Sequence, residues 1–134
     1  MKKTFNPIFD KSSEIIECVM GSPEMPSDDA VLFKIRLAVE EVVENVVRYA
    51  YENGLGWLEI TVELEENGIL TIKLRDGGIP FDPLAKEDPD LTLSAEERPI
   101  GGLGIFLCKK LMDEVSYKFE DGCNVLILHK EVGK

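Results

Sequence analysis

SDDAVLFKIRLAVEEVVENVVRYAY, residues 27–51, is the stretch around which the rest of the chain arranges itself. At about 100° per residue, Leu32, Ile35, Val39, Val42, Val43, Val46, Val47 and Ala50 fall on one broad apolar arc, while Glu41, Asn45 and Arg48 gather within about 60° of one another on the opposite side. The pattern predicts a helix of about six turns, with one face for a core and another free to hold a ligand. Ser27 or Asp28 suits its N-cap, Asp29 its positive end, and Asn53-Gly54 supplies a left-handed stop. The polar face also has a plainer explanation, because Glu44 and Arg48 are spaced for a surface ion pair and charged helix faces are usually only solvated.

Working outward toward the N-terminus, Pro23 and Pro26 make a loop, preceded by a second helix with Ile15, Ile16, Val19 and Met20 at helical spacing. Ser12 or Ser13 is its expected cap and Gly21-Ser22-Pro23 its end. Residues 3–9 read as a short edge strand in which Pro7 limits pairing. On the other side, Leu58, Ile60, Val62 and Leu64 alternate with Trp57, Glu59, Thr61 and Glu63, and Leu70, Ile72 and Leu74 alternate with Thr71, Lys73 and Arg75. Asn67-Gly68 turns the first hairpin; Asp121-Gly122 turns a second, from Val115, Tyr117 and Phe119 into Val125, Ile127 and the segment reaching Lys130. A helix from about Leu103 to Met112 lies between the hairpins. The fold class is therefore α+β, a two-layer sandwich with an antiparallel or mixed sheet covered on one face by helices.

With 134 residues, 44% hydrophobic and 31% charged, residues 1–134 are expected to form a single domain with a real core. A net charge of −11 argues against direct nucleic-acid binding and against an anionic membrane surface, and favours a basic protein partner. Without an apolar run of membrane-spanning length or a signal core after Met1-Lys2-Lys3, the expected location is cytoplasmic. Cys18, Cys108 and Cys123 form no C-x-x-C pair and read as small buried hydrophobes. His129, the only histidine, falls in a predicted strand and is expected to be structural.

The connection between the hairpins carries the candidate chemistry. Asp76-Gly77-Gly78-Ile79-Pro80-Phe81-Asp82-Pro83 closes a strand with a carboxylate and glycines, a plain turn or a place where backbone approaches a bound ring. Gly101-Gly102-Leu103-Gly104 runs into the helix of Ile105, Leu107, Cys108, Leu111 and Met112, freeing amide N–H groups at a positive helix end, which suits phosphate. It is neither a P-loop nor a Rossmann fingerprint.

Taken together, Glu41-x-x-x-Asn45-x-x-Arg48-Tyr49, Asp76-x-Gly78 and Gly101-Gly102-Leu103-Gly104-Ile105-Phe106, followed by Leu111-Met112-Asp113-Glu114-Val115, resemble the ATP-binding domain of the GHKL superfamily of gyrase, histidine kinases and MutL. Within it, the chain looks most like the RsbW/SpoIIAB-type anti-sigma factor serine kinases, over about residues 27 to 132. The resemblance implies the Bergerat α/β sandwich, ATP and Mg²⁺ as cofactors, and serine phosphorylation of a STAS-domain anti-sigma factor antagonist, with a sigma factor as the other partner. It further implies Asn45 on Mg²⁺, Asp76 on the adenine amino group beside Gly78, and Gly101, Gly102 and Gly104 around the phosphates. Arg48 would reach a phosphate oxygen, Glu41 would be the general base, and residues about 83–100 would be a lid in which Ser94 with Glu97 caps a turn. Family members dimerise, so a homodimer is expected from the resemblance alone. Two positions depart from the pattern: Pro80 stands where many members have a second glycine, and Ile127 stands near where many carry a hydroxyl that holds an adenine-bound water. The rival reading is a nucleotide-gated module that sequesters a partner without transferring phosphate. An isolated histidine-kinase catalytic part fits less well, because no phosphoacceptor helix pair precedes the motifs.

Overall fold

The computed structural model describes residues 1–52, 55–85 and 102–133. Its elements are β1 (Lys2–Phe5), α1 (Ser12–Met20), α2 (Asp29–Tyr49), β2 (Leu58–Leu64), β3 (Ile69–Asp76), a short 3-10 turn (Pro83–Ala85), α3 (Gly102–Leu111), β4 (Glu114–Glu120) and β5 (Cys123–Glu131). Helix α2 is the predicted central helix. Asp28, in extended conformation, caps it by accepting a hydrogen bond from Val31 N at 3.1 Å. The expected stop at Asn53-Gly54 lies outside the described residues.

The strands form one sheet in the order β1-β2-β3-β5-β4, every neighbouring pair antiparallel. Directly paired residues share a face, so Ile60 opposite Leu74, Leu74 opposite Leu126 and Ile72 opposite Leu128 make a continuous apolar surface. Ile35, Ala38, Val39, Val42 and Val43 of α2, Ile15, Ile16 and Val19 of α1, and Ile105 and Cys108 of α3 close over it in one buried cluster. Burying each large side chain there contributes about 1.5–3 kcal/mol, whereas an exposed ion pair contributes about 1 kcal/mol or less. Apolar contact therefore sets how helices meet sheet, and Arg36, bridging Glu17 of α1 and Glu40 of α2, only trims it.

Three local expectations need correction. No serine caps α1: Lys11 precedes the helix without a side-chain cap bond, and Ser12 is already helical, because the Lys11 N to Ile8 O turn leads the chain straight in. The first strand stops at Phe5, before Pro7, whose nitrogen has no proton to donate. In β5 the core face belongs to Leu126 and Leu128, and Ile127 lies on the other face opposite Lys73 and Ser116. Val125-Leu126-Ile127-Leu128 is a continuous apolar run with no alternation of its own, so pairing chose the phase. The two-residue turn does match expectation: Asp121 and Gly122 both take left-handed φ, +54° and +75°, the type I′ geometry that a tight hairpin requires.

Among the described residues no helix is long and apolar enough to cross a membrane, and no cluster of three or more His, Cys, Asp or Glu has metal-ligand arrangement. Cys108 and Cys123 are buried and Cys18 is half-buried, all as free thiols. Burial first, then the charge of Glu41, pushes the Cys108 thiol up to about 12, so it is inert near neutral pH.

Candidate functional site

The alternation that builds the core ends in a carboxylate. Leu70, Ile72, Leu74 and Asp76 occupy successive inward positions of β3, and Asp76 is only 5% exposed. Directly opposite on β5 stands Asn124, also buried. Its Nδ2 donates to Asp76 Oδ1 at 3.0 Å, and Gly78 N donates to the same oxygen at 2.9 Å. Burial pushes the Asp76 carboxyl above its ordinary pKa, opposed by these two hydrogen bonds to the ionised form.

The backbone after Asp76 is held on three sides. Asn124 Nδ2 also donates to Ile79 O at 2.8 Å, and its Oδ1 accepts from Phe81 N at 3.0 Å and from the Tyr117 hydroxyl at 2.5 Å. From the end of α2, Ala50 O accepts Ile79 N at 3.1 Å, and the Tyr51 hydroxyl accepts Gly77 N at 2.8 Å while donating to Trp57 O at 2.7 Å. Gly78 fits against that helix end because it has no side chain: a Cβ would lie 2.1 Å from the Ala50 oxygen. The close approach expected at Gly78 is thus made to the protein's own backbone.

Val42, Asn45 and Val46 of α2 and Ala50 just after it face Asp76, Asn124, Tyr117 and Leu126 of the sheet across a cleft of about 40 Å³, with Ile79, Phe81 and Pro83 along its rim. Ile79 is 66% exposed, and the Phe81 ring leans on Tyr49 with centroids 6.5 Å apart. Apolar walls beside one buried acceptor suit a flat ring bearing an amino group.

The other residues expected at a site are divided. Asn45 is half-buried and lines the cleft. Glu41, one turn earlier, is outside that lining set and lies near enough to the α3 thiol Cys108 for its charge to act there. Arg48 points away, pairing with Glu44 at 3.7 Å and lining a separate groove with Phe9, Asp10, Tyr51 and Glu52. Gly102 and Gly104 sit in the first turn of α3, which packs on α2. Gly101 and most of the expected lid, with Ser94 and Glu97, lie outside the described residues; Pro83–Ala85 is a 3-10 turn preceded by Asp82, whose Oδ1 accepts Leu84 N at 2.8 Å. Ile127 is excluded from the cleft by its strand phase, and Asn124 and Leu126 take the places facing Asp76. Asn124, Tyr117 and Tyr51 were missed. The first two were readable, since a two-residue turn pairs Phe119 with Asn124 and Tyr117 with Leu126, and β4 facing inward carries those β5 partners inward too.

Comparison with known proteins adds the family. The family described as "Histidine kinase-like ATPase domain" matches residues 14–130. The serine-protein kinases RsbW of Bacillus cereus (strain AH820) and Bacillus anthracis (strain CDC 684 / NRRL 3495) are each 33% identical over 97 residues, 69% of this chain and 60% of the relative. The chain thus spans about 60% of the length of these curated relatives. Among solved structures, the RsbU and RsbW domains of a Mycobacterium tuberculosis protein superpose with a TM-score of 0.61 at 13% identity, covering 100% of this chain and 33% of that one. The catalytic domain of the histidine kinase ThkA gives 0.59 at 16% identity, covering 98% of each chain. Identities this low establish the shared α+β fold.

Proposed function

This chain belongs to the histidine kinase-like ATPase domain family, and from that premise we propose that it is an ATP- and Mg²⁺-dependent anti-sigma regulator with serine kinase activity toward a STAS-type anti-sigma factor antagonist. The observation that carries the reading is the meeting of Asn45 from α2 and the buried Asp76 from β3 in one cleft, in a chain 33% identical over 97 residues to serine-protein kinases.

In this reading Asp76 accepts the adenine amino group, and the aliphatic side chains of Val42, Val46 and Leu126 cover the ring faces. Asn45 offers one amide oxygen to Mg²⁺. With no acidic cluster among the described residues to complete a shell, that ion would be bound chiefly by phosphate oxygens and water, as Mg²⁺ prefers. ATP·Mg supplies the transferable phosphoryl group. The phosphates would lie against Gly101, Gly102 and Gly104, with the N–H groups and positive end of α3 as their donors. In the same reading Glu41, one helical turn from Asn45, would take the proton of an attacking serine hydroxyl. A chain of net charge −11 attracts a basic sigma-factor surface. The proposed location is the cytoplasm.

One observation keeps the second reading, the nucleotide-gated binding module, in play: Glu41 stands outside the residues that line the Asp76 cleft. Incubation with γ-labelled ATP, Mg²⁺ and candidate antagonists, followed by phosphoserine mapping, separates the two. Labelled serine on an antagonist, lost in Glu41→Gln, supports the kinase. Tight ATP-dependent partner binding without label supports the module, and no nucleotide binding at millimolar ATP·Mg rejects both.

A further inference from the structure

The polar atoms around the cleft converge on Asn124, which no motif identified. A side-chain amide has two N–H donors and a carbonyl with two lone pairs. Asn124 uses all of them: Nδ2 donates to Asp76 Oδ1 (3.0 Å) and Ile79 O (2.8 Å), with Gly78 O at 3.4 Å, and Oδ1 accepts Phe81 N (3.0 Å) and the Tyr117 hydroxyl (2.5 Å). The network also orients the amide, since a flipped group would set NH₂ against the Phe81 N–H. We propose that Asn124 is the positioning residue of the cleft, holding Asp76 by one carboxylate oxygen and the 76–81 backbone by the rest of its amide, so that the other carboxylate oxygen stays ionised and aimed at a ligand's amino group.

The chemistry of the position supports an amide specifically. Leucine has similar shape but would take away the amide donors that reach Ile79 O and Asp76 Oδ1. Aspartate keeps the acceptor and loses both donors, placing a second carboxylate against Asp76. Among the described residues, the titratable groups around Asp76 are Tyr51, just past α2, and Tyr117 on β4, with Cys123 acting on Tyr51 and Asp82 on Tyr117. None of these is a cation. Dipoles therefore carry the task of keeping a buried carboxylate charged, and the two that reach it are the Asn124 and Gly78 N–H groups.

The ligand half of this inference rests on the nucleotide reading above; the Asp76 half does not. The test uses the full chain as Asn124→Leu, Asn124→Asp and Tyr117→Phe. Carboxyl ¹³C NMR follows the Asp76 titration without nucleotide, and calorimetry follows ATP·Mg binding. The Asp76 midpoint is expected to rise in Asn124→Leu, to split into a coupled pair with one strongly raised midpoint in Asn124→Asp, and to stay nearly in place in Tyr117→Phe. ATP affinity of Asn124→Leu should fall about tenfold at neutral pH, the size of one lost hydrogen bond to a charged group, and recover as pH rises through the new midpoint. An Asp76 midpoint unchanged from wild type in either folded Asn124 variant overturns the proposal. A shifted midpoint in a protein whose wild type binds no adenine nucleotide upholds the positioning role and overturns the nucleotide reading instead.

Discussion

The last three turns of α2 separate two concavities built from the same helix. On one side Asn45 faces Asp76 and Asn124 in a small cleft where the buried polar atoms are tied to one another and to backbone. On the other, Arg48 pairs with Glu44 at 3.7 Å in a wider groove of about 390 Å³ with Phe9, Asp10, Tyr51 and Glu52. Both carry polar groups, yet only the first holds them in low dielectric with fixed partners. The Arg48 and Glu44 side chains are 65% and 43% exposed, so solvent screens them. The wider groove offers volume, and the smaller cleft offers pre-arranged polar groups that water hardly reaches.

The comparison breaks most easily at Asp76. Asp76→Asn should cost about 1.5–3 kcal/mol of adenine-nucleotide binding, the worth of a hydrogen bond to a charged group, measured by calorimetry. The same substitution should stabilise the free protein progressively as pH rises. Because burial holds the folded carboxyl above its ordinary pKa, its contribution to stability is full below the unfolded value and is lost as pH rises through the folded one. The melting temperature of Asp76→Asn minus that of wild type should therefore grow as pH rises above about 4, the ordinary aspartate value, and level off above the raised folded one. A constant difference would remove the burial argument.

Next in size is Gly78→Ala. The added Cβ would meet a backbone oxygen rather than a flexible side chain, and should lower stability by about 1–3 kcal/mol in denaturant unfolding. A neutral result would mean that the loop is free to lift off the helix end. Tyr51→Phe should be milder, about 0.5–1.5 kcal/mol, because it removes one hydroxyl linking Trp57 O and Gly77 N at a partly solvated spot.

The smallest effect is expected across the helix. Arg48→Ala should change stability by less than about 1 kcal/mol and leave nucleotide affinity nearly unchanged if Arg48 keeps to its own groove. A tenfold or greater loss of ATP affinity would show that bound phosphate draws Arg48 away from Glu44, and the two concavities would then be one site.

Local pattern was enough to read much of this protein. The helix at 29–49 and its Asp28 cap, both hairpins and the Asp121-Gly122 turn rest on interactions between residues close in sequence, the helices-on-sheet layering follows from the single apolar face that each element carries, and the motifs at 41–48, 76–78 and 101–104 pointed to the family. Three matters were decided only by the tertiary structure. Strand phase in β5 depended on which partners 125–128 met, because an unbroken apolar run has no alternation to read. Asn124 became the centre of the polar network beside Asp76 only when β3 and β5 set the two opposite each other, nearly fifty residues apart in sequence. The Glu41, Asn45 and Arg48 face, one surface on a helical wheel, was divided because α3, the 76–81 loop and Glu44 each claimed a different member of it. A helix shows its own angles from sequence alone; which neighbour fills each angle is settled by long-range packing.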